Sequence, residues 1–179
     1  LIIYKILSIN CMLFYNNHMK NIPYNVADFT DKEIDQIKLL KKKNFLLQNY
    51  FSNKCNRWLK DKINCKESLL VNSCTSALEM CALLLNIKSK DEIIMPSYTF
   101  VSTANAFVLR GGKPVFVDIK HETLNIDPVE IEKAITKKTK AIVVVHYAGV
   151  SCDMEKIKKI SKKYNLYLIE DAAHAILSK

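Results

Sequence analysis

Glycine is scarce in this chain, with three residues in 179. Neither GxGxxG nor GxxxxGK[ST] is present, which excludes nucleotide binding through either glycine-rich phosphate loop. Arginine is scarcer still. Of 27 basic residues only Arg57 and Arg110 are arginine, so the formal net charge of +9 is carried by lysine. Without an arginine cluster or a basic strip interleaved with aromatics, that charge does not point to nucleic acid. The six cysteines form no CxxC pair, and only Cys74 and Cys81 stand closer than nine residues. Such spacing gives neither a zinc set nor a dense disulfide framework, so no metal is expected. It fits a reducing compartment, and the expected location is cytoplasmic. No internal repeat or low-complexity linker stands out. The apolar run LIIYKILSINCMLFYNNH over 1–18 is broken by Lys5, Ser8 and Asn10. It is too short and too interrupted for a membrane span, and no A-x-A-like cleavage site follows it. Residues 1–18 are therefore read as an upstream or non-native extension, with Met19 opening the ordinary sequence.

What is present is ordinary for a globular protein, with 49% hydrophobic and 25% charged residues. The lysines lie along amphipathic helices. In DMEKIKKISKKY, Met154, Ile157, Ile160 and Tyr164 keep a helical stripe and the lysines take the solvated face. Thr30 caps a predicted helix that places Ile34, Ile37 and Leu40 on one side. A second helix is predicted over 52–63, anchored by Trp58 and Leu59. A rhythm then begins. Short apolar runs at 68–71, 92–95, 115–118, 141–145 and 167–169 alternate with helical patterns near 75–86, 99–110, 127–136 and 153–164. That alternation predicts an α/β fold with a largely parallel sheet and flanking helices. The near-continuous run AIVVV fits a strand buried on both faces. The expected organisation is a helical segment over 19–66 ahead of a sheet-bearing portion over 67–179.

In open α/β sheets, ligands sit beyond the carboxyl ends of the strands. Four predicted strands here exit into loaded segments: NSCTS, PSYTF, HYAG and EDAAH. In the first, a helix starting near Thr75 offers free N–H groups and a dipole, with the hydroxyls of Ser73, Thr75 and Ser76, to one phosphate. The same residues also serve as a plain N-cap. Tyr98 and Phe100 could stack on a flat ring or pack in the core. His146 at a strand end is more often structural than a ligand contact. Asp171 is the sharpest residue. A carboxylate carried to a strand end among apolar residues needs a cation or several donors. A protonated pyridine nitrogen is one such partner. His174, three residues on, could reach the phenolic oxygen of the same ring. The plainer alternative is a capping Asp beside a satisfied histidine. Glu170 is no acid–base couple for Asp171, because adjacent strand residues point to opposite faces.

The strings SCTSALEMCALLL, DEIIMPSYTFVSTANAFVLRGGKPVFVD, VHYAGVSCDM and IEDAAHA together resemble the DegT/DnrJ/EryC1/StrS sugar aminotransferases, fold type I pyridoxal-phosphate enzymes. The resemblance runs from about Ile22 to the end. It implies the N-terminal large-domain portion of such an enzyme, with pyridoxal 5′-phosphate as cofactor. It implies Thr75 and Ser76 at the cofactor phosphate, Phe100 in the ring-stacking position, Asp171 on the pyridine nitrogen and His174 near the phenolic oxygen. Cys74 stands where many relatives have glycine. The reaction implied moves an amino group from glutamate to the C4 keto group of a dTDP-linked 4-keto-6-deoxyhexose. A homodimer is implied for the full-length protein, with no nucleic-acid or membrane partner. The resemblance places the lysine that carries the cofactor further along than Lys179, so these residues are expected to be inactive alone. Two other readings stand beside this one. A pyridoxamine-dependent sugar dehydratase of the same family has histidine in place of that lysine. A non-catalytic basic remnant would be a binding protein.

Overall fold

Three of the described helices begin where a Ser or Asp supplies an acceptor for a first-turn N–H. The computed structural model describes residues 30–43, 49–176 and 178. The expectations for residues 1–18 and for Lys179 fall outside that set. The described residues lie in two compact units, one within 30–70 and one within 71–178.

The first unit holds two helices. Helix α1 (Asp31–Lys43) is preceded by Thr30, whose N–H and hydroxyl both donate to Glu33 Oε2, at 2.8 and 2.5 Å. That is half of a capping box. The bond to the Thr30 hydroxyl draws the Glu33 carboxyl below its ordinary value. Ile34 and Ile37 share a face as predicted, but both stay exposed. Helix α2 (Tyr50–Ile63) lies between Asn49 and Asn64, both left-handed. Asparagine tolerates that conformation better than most residues. Leu59 is buried, while Trp58 is exposed.

The second unit is a parallel sheet with helices on both faces. Its elements in order are α3 (Cys74–Leu84), β1 (Glu92–Pro96), α4 (Val101–Val108), β2 (Lys113–Val117), α5 (Pro128–Ala134), β3 (Thr139–Val145), α6 (Met154–Lys163) and β4 (Tyr167–Asp171). The strand order is β2-β1-β3-β4, with every pairing parallel. Ser73 caps α3, Asp127 caps α5 and Asp153 caps α6, each accepting a backbone N–H in the first turn. Pro128 opens α5, where a missing N–H costs nothing.

The period-2 rule sorts the strand residues between two cores. Ile93, Met95, Ala141 and Val143 join Leu78, Ala82, Ala106 and Phe107 under α3 and α4. Ile94, Ile142 and Val144 join Ile126, Ile131, Ile157 and Ile160 under α5 and α6. Burial on both faces is why these strands read as unbroken apolar runs.

The strand expected at 68–71 is absent. Ser68–Val71 has no regular structure, and Leu69 and Leu70 are exposed. A four-residue apolar run becomes a buried parallel strand only if neighbours cover both faces and take its amide groups. Among the described residues no strand pairs with it. The NSCTS segment is therefore a helix start and not a strand exit.

Candidate functional site

The strands β1, β3 and β4 end on one edge of the sheet, and the loaded segments gather there. Asp171 closes β4 opposite Val145 of β3. It is 6% exposed, yet it pairs with no cation among the described residues. Three neutral donors hold it. Thr103 Oγ1 donates to Oδ2 at 2.9 Å, the Ala173 N–H to Oδ1 at 3.2 Å, and the Cys74 thiol to Oδ1 at 3.4 Å. Thr99 in turn donates to Thr103 at 2.8 Å. Each carboxylate oxygen has about two acceptor positions, so Oδ2 keeps one open. A buried carboxylate with donors but no counter-charge suits a cationic N–H from outside. Burial pushes the Cys74 thiol up to about 12, with the nearby Asp171 charge adding to it. The thiol therefore stays protonated and remains a donor at neutral pH.

Cys74 is the first residue of α3, so its bond to Asp171 brings that helix start to the carboxylate. The first N–H groups of a helix have no intrahelical acceptor. The Ser76 N–H is taken by Ser73 Oγ at 3.1 Å, and those of Cys74 and Thr75 have no intrahelical acceptor. The Thr75 hydroxyl has no hydrogen-bond partner among the described residues. The Ser76 hydroxyl is already bonded, to Asn72 Oδ1 at 2.7 Å and to Ser73 Oγ at 3.0 Å. This end of α3 offers two N–H groups, a free hydroxyl and the positive end of an 11-residue helix, a donor set that fits a phosphate.

Phe100 caps α4 without a side-chain bond and is 72% exposed. Tyr98 is 44% exposed. Neither packs in the core, which removes that alternative for both. His174 is exposed on the turn that follows Asp171, closed by the Ala175 N–H to Ala172 C=O bond at 2.9 Å. That turn lies against the β3 exit. A Cβ on Gly149 would stand 3.1 Å from the His174 carbonyl oxygen, and Gly149 has φ +86, so a side chain there would be crowded and its backbone strained.

The structure thus brings Thr75, Ser76, Asp171 and His174 to one rim. It links Phe100 to them through neighbouring Thr99 and the Thr99–Thr103–Asp171 chain. It takes His146 out of the site. His146 is buried; its Nδ1 accepts the Cys152 N–H at 3.1 Å, which leaves Nε2 protonated to donate to Glu170 Oε2 at 3.1 Å. That bond draws the Glu170 carboxyl below its ordinary value. Glu170 and Asp171 serve opposite faces, as the alternation of a strand requires.

Sequence reasoning missed Thr103 and the roles of Cys74 and Asn125. Thr103 had a signal. It stands between Thr99 and Phe107 at i, i+4 spacing, a hydroxyl on the buried face of a short apolar helix. Asn125 had none, because its partners Tyr147 and Val150 lie 22 and 25 residues away.

Residues 27–179 match the family model described as the DegT/DnrJ/EryC1/StrS aminotransferase family. The chain is 45% identical over 146 residues to an uncharacterized protein of Methanocaldococcus jannaschii, covering 82% of this chain and 38% of that one. It is 37% identical over 165 residues to the spore coat polysaccharide biosynthesis protein SpsC of Bacillus subtilis, covering 92% and 42%. Its fold superposes on the crystal structure of NtdA from Bacillus subtilis with bound cofactor PMP, with a TM-score of 0.77 and 32% identity, over 90% of this chain and 38% of that one. The chain spans about two fifths of the length of the curated relatives it matches, 38% and 42%.

Proposed function

Since the chain belongs to the DegT/DnrJ/EryC1/StrS aminotransferase family, we propose that it holds pyridoxal 5′-phosphate on the rim around Asp171 and serves transfer of an amino group to a nucleotide-linked keto sugar. The donor in this reading is glutamate. The acceptor is the C4 keto group of a dTDP-linked 4-keto-6-deoxyhexose, the chemistry of a dTDP-4-amino-4,6-dideoxygalactose transaminase. The observation that carries the proposal is Asp171: a carboxylate at 6% exposure, held by three neutral donors and, among the described residues, by no cation.

Bound here, the cofactor supplies an electron sink whose strength depends on a protonated ring nitrogen. Asp171 accepts that N–H and keeps it in place. The N–H groups of Cys74 and Thr75, with the hydroxyl of Thr75, hold the phosphate. Ser76 joins them by releasing Asn72. Phe100 covers one ring face, and His174 donates toward the phenolic oxygen. Lys179 stands eight residues past Asp171, nearer than the resemblance places the cofactor-carrying lysine, so we assign it no catalytic role. The full-length protein works as a homodimer.

The test needs no lysine. Pyridoxamine 5′-phosphate forms no covalent bond to protein, and its binding is followed by dichroism in its own absorption band. The chain is expected to bind it, and Asp171→Asn to weaken binding by roughly 10- to 100-fold, the worth of a charged hydrogen bond. A chain that binds no pyridoxamine 5′-phosphate, or a variant that binds it equally well, would sink the proposal.

A further inference from the structure

Strands β1 and β3 are neighbours in the sheet, but the chain leaves them in opposite directions. After β1 it enters α4, over the core that holds Phe107. After β3 it enters α6, over the core that holds Ile157. The two exits diverge and leave a crevice between them at the sheet's edge. One contact bridges it. The Tyr98 and Tyr147 hydroxyls are 2.8 Å apart, with ring centroids at 4.7 Å.

Much of the local structure exists to put Tyr147 there. Its backbone N–H donates to Oδ1 of Asn125, which is 3% exposed, at 3.0 Å. The Asn125 amide donates to the Val150 carbonyl, also at 3.0 Å, so one buried side chain grips both ends of the turn. His146 pins the next segment through the Cys152 N–H. Between them Ala148 sits at φ 50, ψ 24, a left-handed conformation that alanine rarely adopts. Strain and buried polar groups that fix a rim side chain point to function more than to the core. The bond to Tyr98 holds the Tyr147 phenol proton above the usual tyrosine range.

We propose that Tyr147 is a positioning residue for the cofactor pocket: through Tyr98 it ties the β1 exit across the crevice, and so places Thr99, which feeds the Thr103–Asp171 chain, and Phe100, which covers the ring. This rests on the cofactor reading above. Neither phenol needs to touch the reacting atoms.

The test compares Tyr98→Phe, Tyr147→Phe and the double variant, each of which removes only hydroxyl oxygen from a rim residue. With pyridoxamine 5′-phosphate as probe, each single change is expected to weaken binding roughly three- to tenfold, the worth of one hydrogen bond. The double variant should be no worse than the poorer single one, because both remove the same bond. The dichroism of the bound probe, which reports ring orientation, should fall, while the melting temperature holds. In the protein without probe, nitrogen-15 relaxation should show faster motion over 97–103 in Tyr147→Phe and none added in α6. Additive losses, unchanged affinity or unchanged dichroism would overturn the proposal. If the parent chain binds no probe, the cofactor reading fails by itself. The relaxation result then decides whether the tyrosines position this exit, and unchanged motion overturns that too.

Discussion

Asp171 works as an acceptor because each group around it is a neutral donor, and the hydroxyl of Thr103 is the shortest and most buried of them. Thr103→Val keeps the shape and removes that donor. It should lower unfolding free energy by about 1–3 kcal/mol in urea titrations, since the carboxylate stays buried with less to hold it. The same variant should weaken pyridoxamine 5′-phosphate. The half-buried Cys74 and the buried Cys152 make a separate prediction. Burial raises Cys74 to about 12 and Cys152 to about 11, each from 9.0. The unfolded chain therefore loses these protons first. The stability they contribute is fully present below pH 9 and is lost as pH rises through about 11 to 12. Urea midpoints should fall across that window, and the slope should flatten in a Cys74→Ala, Cys152→Ala variant. At the acid end the sign is opposite. His146 holds the Glu170 carboxyl below its ordinary 4.5, so its contribution is present above that value and fades as pH drops through the lowered one. Asp171 was legible as a chemical residue because an acid at the end of an apolar strand is costly. Its actual partners were not, since Cys74 lies 97 and Thr103 68 residues away and each reads locally as a helix residue.

At the scale of elements, two caps of the same kind separate stability from binding. Ser73 caps α3 at the rim, whereas Asp127 caps α5 on the other face. Replacing either by alanine should cost about 1 kcal/mol. Only Ser73→Ala should also alter phosphate affinity, because it frees the Ser76 N–H beside Thr75. Equal effects of both variants on pyridoxamine 5′-phosphate binding would contradict this placement. The remaining four predicted strands lie where the apolar runs put them; three are lengthened by a residue or two, and β2 starts two residues earlier and ends one residue sooner, at Val117. The pattern worked for β3, where the four central residues Ala141–Val144 are buried. It failed at 68–71, where an equally apolar stretch has nothing to pair with. Local pattern reports what a segment would bury, not whether a neighbour arrives to bury it. The α4 helix is shorter than its pattern because Phe100 keeps an extended backbone at φ −72, ψ 143 as its cap.

Over the whole molecule, the outer faces of α3 and α4 remain apolar. Leu83 and Leu84 on one helix, and Val101, Val108 and Leu109 on or just past the other, are exposed. Single changes to lysine at Leu84 and Leu109 should reduce self-association in sedimentation without lowering the melting temperature, because neither side chain is part of the core. If self-association persists unchanged, these faces are not what drives it. The charge of +9, the surplus left after every acid is offset, works against such association. The order of the strands has one more effect. Among the described strands β1 and β3 are interior, whereas β4, which ends in Asp171, is paired on one side only. Partial openings of a sheet start at its margins. The amide protons of β4 should therefore trade with deuterium sooner than those of β1 and β3. A molecule bound at Asp171 would slow that exchange in β4 first, so that occupancy of the rim can be read from the protection of a single strand.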